Sequence, residues 1–175
     1  EVELAGLAGM TATAFQERLK GRGLAVPSIH AGYDSLNGDL DGVVREARTF
    51  SASFIVCPSI DVEERRTADD WKRACRTLAR AGWTLRGHGL TLAYHNHDYE
   101  FVPFADGATP FDLLLRETDP EDVKLELDVY WVAKAGLDPV RHLQDSRDRI
   151  LLVHLKDLAR DGSTAEVGEG SLDFE

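Results

Sequence analysis

The stretch Leu90-Thr91-Leu92-Ala93-Tyr94-His95-Asn96-His97-Asp98 decides how the chain is read. A mostly apolar run of strand length ends abruptly in two imidazoles and an amide. Two later stretches repeat the design. Val123-Lys124-Leu125-Glu126-Leu127 runs into Asp128-Val129-Tyr130-Trp131, and Ile150-Leu151-Leu152-Val153 runs into His154-Leu155-Lys156-Asp157. In a parallel α/β fold the C-terminal ends of the strands share one face. Side chains far apart in sequence then meet in a single site.

Outward from these stretches, short apolar runs alternate with longer amphipathic ones. Strands are predicted at Val2–Leu4, Leu24–His30, Phe54–Ile60, Leu90–Tyr94, Val123–Leu127 and Ile150–Leu155. Helices are predicted at Thr11–Arg22, Ser35–Phe50, Thr67–Gly87, Pro110–Glu117 and Pro139–Ser146. The longest, Thr67–Gly87, carries one stripe of Trp71, Cys75, Leu78, Ala79, Gly82 and Leu85, near the 3.6-residue period of a helix. Ala159–Gly170 is polar and Gly-rich and reads as a loop, and Leu172 as the start of a further helix. Strict alternation of β and α predicts a parallel sheet with helices outside it. Leu90–Tyr94 and Ile150–Leu155 are apolar on both faces, which predicts burial on both sides.

No Gly-rich dinucleotide fingerprint follows the first strand, and no Gly-Lys-Ser/Thr phosphate loop occurs. That leaves a (β/α) barrel as the better architecture. A full barrel has eight strands and about 250 residues. With 175 residues, the expectation is one α/β domain over residues 1–175, a (β/α) barrel with both ends missing. Two open strand edges would follow, and with them association into a homo-oligomer.

Composition excludes several classes. The net charge is -11, whereas nucleic-acid binding needs a surplus of Lys and Arg. No apolar run approaches the ~20 residues of a membrane span. Cys57 and Cys75 are the two cysteines, and their apolar contexts predict buried free thiols in a cytoplasmic protein. There is no Gly-X-Ser-X-Gly elbow and no Cys/His pairing, so Ser or Cys nucleophiles are unsupported.

The strand ends carry the candidate chemistry. Period-2 alternation puts Lys124, Glu126 and Asp128 on one face. Asp128 is either a cap for a following short helix or a metal ligand or acid desolvated in a barrel mouth. His154 interrupts a very apolar run and shares a face with Lys156; an imidazole beside an ammonium that can hold an anionic or keto oxygen is a coherent pair. His95 and His97 share a face, and His-X-His on a strand can bind a metal through both rings; a capped polar strand end is the plainer alternative. Glu100, just beyond, is a candidate acid or base. Glu3 and His30 stand at equivalent strand positions at the same mouth and, with Asn96 and Trp131, are candidate substrate contacts; a hydrogen-bonded structural imidazole is the alternative for His30, and core packing for one of Tyr130 and Trp131. Glu166 and Glu169 lie in a flexible segment able to fold over a site. Carboxylate and imidazole ligands together suit a divalent metal that polarises adjacent oxygens.

At these residues the sequence resembles the sugar phosphate isomerase/epimerase group of the xylose isomerase-like TIM-barrel superfamily. The segments that carry the resemblance are Tyr94-His95-Asn96-His97-Asp98-Tyr99-Glu100-Phe101, Leu127-Asp128-Val129-Tyr130-Trp131-Val132, Val153-His154-Leu155-Lys156-Asp157 and Val167-Gly168-Glu169-Gly170, with Val2-Glu3-Leu4 and Ser28-Ile29-His30. The resemblance implies a (β/α)8 TIM barrel, of which the six strands here are about two to seven, and a divalent metal (Mn, Mg, Co or Zn) held by Glu, Asp, His and Glu from the ends of strands five to eight. Asp128 matches the Asp and His154 the His. His95 stands where the first Glu is expected, a departure from the family pattern that puts the paired-glutamate proton transfer in question. The last Glu is expected beyond Glu175. Trp131 and Lys156 fall where relatives contact substrate.

The function expected is a metal-dependent isomerase or epimerase acting on a sugar, sugar phosphate or keto-sugar. The ligands would be His95, Asp128 and His154, and the proton would move through His97 or Glu100. Two alternatives stand beside it: a metal-dependent lyase or dehydratase of the same superfamily, and a non-catalytic sugar-binding barrel fragment.

Overall fold

The computed structural model describes residues 1–174. Six strands form one parallel sheet in sequence order: β1 (Glu3–Leu4), β2 (Ser28–His30), β3 (Phe54–Cys57), β4 (Thr91–His95), β5 (Val123–Asp128) and β6 (Ile150–His154). Every neighbouring pair is parallel. Between them run α1 (Ala12–Lys20), α2 (Tyr33–Gly38), α3 (Leu40–Phe50), α4 (Ala68–Gly87), α5 (Pro110–Glu117), α6 (Val129–Lys134) and α7 (Pro139–Asp145). The sheet curls. β1 and β6 are its two edges, yet His154 at the end of β6 reaches Glu3 on β1 at 3.0 Å. The architecture is an open, curled portion of a barrel with helices outside, as the alternation predicts.

Most boundaries follow from local chemistry. Thr67 caps α4 and Thr109 caps α5, each in a reciprocal capping box with the Asp three residues on; two orphan N–H groups are satisfied at each helix start. The run expected as one helix from Ser35 to Phe50 is two. Asp39 takes a non-helical conformation and its carboxylate accepts the Gly42 N–H at 2.9 Å, so a short polar side chain ends one helix by capping the next. The second strand begins only at Ser28. Pro27 supplies no N–H, and its carbonyl accepts from Ser53 and Phe54 instead.

The core lies between the sheet and the helices on its outer face. Trp71, Ala74, Cys75, Leu78, Ala81 and Leu85 of α4 are all buried against it. Ala79, expected in that stripe, is half-buried. Cys57 and Cys75 are both buried and free. Arg149, also buried, donates to the carbonyls of Val123, Leu115 and Thr118 and to the Thr118 hydroxyl. It ties the approach to β6 to the end of α5.

Three expectations are corrected. In the run Leu90–Tyr94, Leu90, Leu92, Ala93 and Tyr94 are buried as predicted, but Leu151 and Val153 of β6, an edge strand, are 38% and 39% exposed. The segment read as a loop after Leu158 includes a small antiparallel hairpin of β7 (Asp157–Leu158) and β8 (Thr164–Ala165). No helix starts at Leu172 within the described residues. The Asp157 carboxylate organises that region, accepting N–H groups from Leu158, Gly168, Gly170 and Leu172. No helix among the described residues is long and apolar enough to cross a membrane.

Helix α4 approaches the chain before β5 so closely that a Cβ on Gly82 would sit 1.9 Å from the Asp122 carbonyl oxygen. Gly82→Ala should therefore destabilise the fold by about 1–3 kcal/mol, although alanine is the better helix former by ~1 kcal/mol. Urea unfolding of both proteins checks the sign; a stabilised variant would mean the helix stands off further than described.

Candidate active site

The strand ends converge as their register requires. His95 on β4 pairs with Glu126 on β5, and Asp128 on β5 with His154 on β6. Asp128 is fully buried and divides its two oxygens. Oδ1 accepts the N–H groups of Tyr130 at 3.0 Å and Trp131 at 3.3 Å, capping α6. Oδ2 accepts Lys156 Nζ at 2.5 Å and lies 3.6 Å from both His95 Nε2 and His154 Nδ1. The cap anticipated in the sequence is present, and it leaves the other oxygen facing two imidazoles. Burial works to raise the pKa of Asp128, but the adjacent His154 ring and the hydrogen bond from Lys156 hold it below the usual carboxylate range.

His154 stands between two groups. Its Nδ1 faces Asp128; its Nε2 is 3.0 Å from Glu3 Oε1 and 3.4 Å from Glu126 Oε2. Glu3 is itself held by the Ser28 hydroxyl at 2.6 Å and His30 Nε2 at 2.9 Å. Burial opposes its charge, but bonds from His154, His30 and Ser28 prevail and pull it well below the usual range. Glu126, buried with fewer donors, is pushed up to about 8, chiefly by desolvation and with the Glu3 charge adding to it. The nearby Asp128 carboxylate and the bond to Glu3 raise His154 to about 10. His95 is pushed down to about 3 by burial and by the charges of His154 and His97. It is a neutral imidazole at ordinary pH.

Aromatic rings wall one side. His97 lies parallel to Tyr99, with centroids 5.2 Å apart and an angle of 9°. It also meets Trp131 at 4.9 Å and His95 at 5.0 Å. The Arg65 guanidinium sits 3.5 Å over the Tyr99 ring. Burial lowers the His97 pKa, which keeps the ring in its basic, neutral form. Lys134 Nζ is 4.7 Å from the Trp131 ring.

Two expected site residues are placed elsewhere. Glu100 is fully buried behind the strand end, where it accepts the Tyr94 hydroxyl at 2.6 Å and the His97 N–H at 2.7 Å. Both oxygens are engaged, so it supports the turn that carries His97 and does not face the mouth. Asn96 spends its amide on Asp128, accepting that residue's N–H at 2.9 Å and donating to its carbonyl at 3.3 Å. It locks two strand ends together and has no surface left for a ligand. Glu166 and Glu169 lie on the segment organised by Asp157. His95, Asp128, His154, Glu3, His30, His97, Trp131 and Lys156 are brought together.

Glu126 is the site residue the sequence reading passed over. Its signal was present: it alternates with Lys124 and Asp128 on one strand face, a carboxylate between Leu125 and Leu127. Arg65 and Tyr99 were also missed, since a turn residue and an aromatic beyond a strand give no periodic signal.

Two groups of donors converge closely enough for an ion, His95 with Asp128 and His154, and Glu3 with Glu126 and His154. The first fits well. Tetrahedral ligand atoms about 2.1 Å from an ion lie about 3.4 Å apart, against 3.6 Å from Asp128 Oδ2 to each imidazole nitrogen and a group that lies within 4.8 Å as a whole. Among the described residues the buried His154 Nδ1 has no hydrogen-bond partner, so it is the nitrogen of that ring left to meet an ion once its proton is displaced.

The chain belongs to the xylose isomerase-like TIM-barrel family, whose pattern matches residues 3–175. It is 36% identical over 98 residues to the inosose dehydratase of Geobacillus kaustophilus (strain HTA426), a match covering 56% of this chain and 31% of that protein. The matched stretch is thus about a third of that relative's length. A sugar phosphate isomerase/epimerase from Parabacteroides distasonis ATCC 8503 superposes with a TM-score of 0.80 at 24% identity, over 98% of this chain and 71% of that one. The IOLI protein, solved with a bound zinc atom, superposes with a TM-score of 0.64 at 12% identity, over 94% and 62%. At these identities the structural likeness establishes the fold.

Burial pushes Glu100 from an ordinary 4.5 up to about 7, against the hydrogen bonds from Tyr94 and His97. The folded protein then holds a proton that the unfolded chain releases. The stability this contributes is complete below about pH 4.5 and is lost as pH rises through about 7. Relative to Glu100→Gln, which does not titrate, the wild type should lose up to about 3 kcal/mol across that window. Parallel urea-unfolding stabilities of the two proteins over that range would refute the shift.

Proposed function

We propose that the site removes a proton from carbon next to the carbonyl of a keto-sugar or related polyhydroxy ketone, with a divalent metal held by His95 Nε2, Asp128 Oδ2 and His154 Nδ1. The single observation that carries this is that Asp128 Oδ2 lies 3.6 Å from both imidazole nitrogens beside a neutral, half-buried His97. A divalent ion bound there would polarise neighbouring substrate oxygens and make the adjacent C–H acidic. The chain's own residues do the rest. His97 is the base, its ring oriented by stacking on Tyr99 and by the Tyr99 hydroxyl 3.3 Å from Nδ1. The Lys156 ammonium, at the mouth beside Asp128, offsets the negative charge that builds on the carbonyl oxygen. Trp131 offers an apolar face to the carbon side of the substrate.

Return of the proton to a different face or carbon makes the enzyme an epimerase or isomerase. A second outcome is favoured by a specific observation, the 36% identity to an inosose dehydratase. There the proton is followed by loss of a hydroxyl from the next carbon, and Lys156 or protonated His97 donates to the departing oxygen. The metal identity is open, and the zinc in the IOLI protein makes zinc the first ion to try.

The full chain loaded with zinc and incubated in D₂O with an inosose, and separately with a ketohexose, separates the outcomes by NMR. Deuterium at carbon without loss of water marks isomerisation or epimerisation; an enone marks dehydration. Neither product, with metal bound, would leave a sugar-binding barrel. Asp128→Ala should weaken zinc binding more than about 100-fold, beyond what a supporting residue costs. Undiminished metal in that variant would overturn the proposed centre.

A further inference from the structure

We propose that Arg65, on the loop between β3 and α4, is a positioning residue that holds the His97 ring through Tyr99. This rests on the reading of His97 as the base. Arg65 and His97 come from the loops after neighbouring strands, β3 and β4. Arg65 follows the short 3-10 turn Val62–Glu64, and its Nε donates to the carbonyl of buried Ile60 at 2.8 Å. That bond fixes the plane of the guanidinium within its own loop. The guanidinium carbon lies 3.5 Å over the Tyr99 ring centroid, well inside the ~6 Å reach of a cation–π contact. Tyr99 in turn lies parallel to His97, with 9° between the planes and 5.2 Å between the centroids. Tyr99 therefore touches a cation anchored in one loop and orients an imidazole carried by the next.

The need for such a contact follows from how His97 is attached. Its main chain is tied down, because its N–H donates to Glu100 at 2.7 Å. That bond leaves the ring torsion open, since the outer torsion of histidine is broad and roughly two-fold. The rings packed against the imidazole restrict it: Tyr99, and Trp131 at 4.9 Å. Tyr99 is only half-buried, so its own orientation depends on what lies over its face. A guanidinium suits that place because it is planar, stacks on an aromatic face and still donates within its own plane. The ammonium of a lysine cannot do both. A reacting group displaced by ~1 Å can lose about 100-fold in rate, so Arg65 acts on turnover without touching the substrate.

The test uses the full chain, and its first arm needs neither metal nor substrate. In ¹H–¹³C spectra of the histidine rings, the His97 protons should carry ring-current shifts from Tyr99 and Trp131. Arg65→Met keeps the length of the stem and removes the flat cation. It should move and broaden the His97 resonances and leave those of His142 and His154 in place. In the zinc-loaded chain incubated with an inosose or a ketohexose in D₂O, Arg65→Met should lose about 10–100-fold in kcat for deuterium uptake, with KM within about twofold of the wild type. Arg65→Lys should resemble Arg65→Met in both readings. Unmoved His97 resonances in Arg65→Met would overturn the proposal. So would a raised KM with kcat kept, because Arg65 would then contact the substrate. Wild-type behaviour of Arg65→Lys would count equally against it, because charge without the flat stack would suffice. If Arg65→Met does not fold, Arg65→Lys decides by the same readings, and where neither sugar is turned over the ring resonances decide. Should His97→Gln take up deuterium as fast as the wild type, His97 is not the base; that failure belongs to the proposed function and is distinct from a failure of Arg65 to hold the ring.

Discussion

Two carboxylates, Glu3 and Asp128, and the carboxyl group of Glu126 surround one imidazole, and that electrostatic constraint shapes the upper face of the sheet. Ionised groups withdrawn from water must be paired. His154 reaches all three, from the last strand to the first and to the one beside it. Because Glu3 and His154 lie on the two edge strands, their contact also spans the curl of the sheet. The parallel order of strands, the helices that hold their spacing and the Arg149 clamp at the other end all serve to bring these groups together.

Around that cluster the fold separates binding groups from supports. Asp128 caps α6 with one oxygen and turns the other to the imidazoles, so the helix start fixes the carboxylate's direction. Asn96 joins the ends of β4 and β5 through Asp128's backbone. Glu100 holds the turn that places His97, and Tyr99 and Trp131 flank that ring. Polar residues at a strand end thus divide into those with a free atom toward the mouth and those whose atoms are all engaged.

Much of this was legible in the sequence. The β/α alternation, the parallel sheet, the buried free thiols and the convergence of Asp128, His154 and His95 all follow from apolar runs of strand length that end in metal-competent side chains. The helix break at Asp39 was carried by one polar residue within an otherwise continuous apolar period, so periodicity alone ran across it. The exposure of β6 was not legible either, because an apolar run records what a strand can bury, not what packs upon it. Glu100 and Asn96 looked like site residues by position, and their roles turned on hydrogen-bond partners that local spacing does not specify.

By itself the sequence determined the strand periods, the helix caps and the residue types at each strand end, since these depend on neighbours a few positions away. Only the tertiary structure decided that Glu126 and Glu3 meet at the same nitrogen of His154, that Glu100 faces inward, and that His97 stacks on Tyr99. Those outcomes depend on strand register and on the curvature of the sheet, and both are set by the packing of the whole domain.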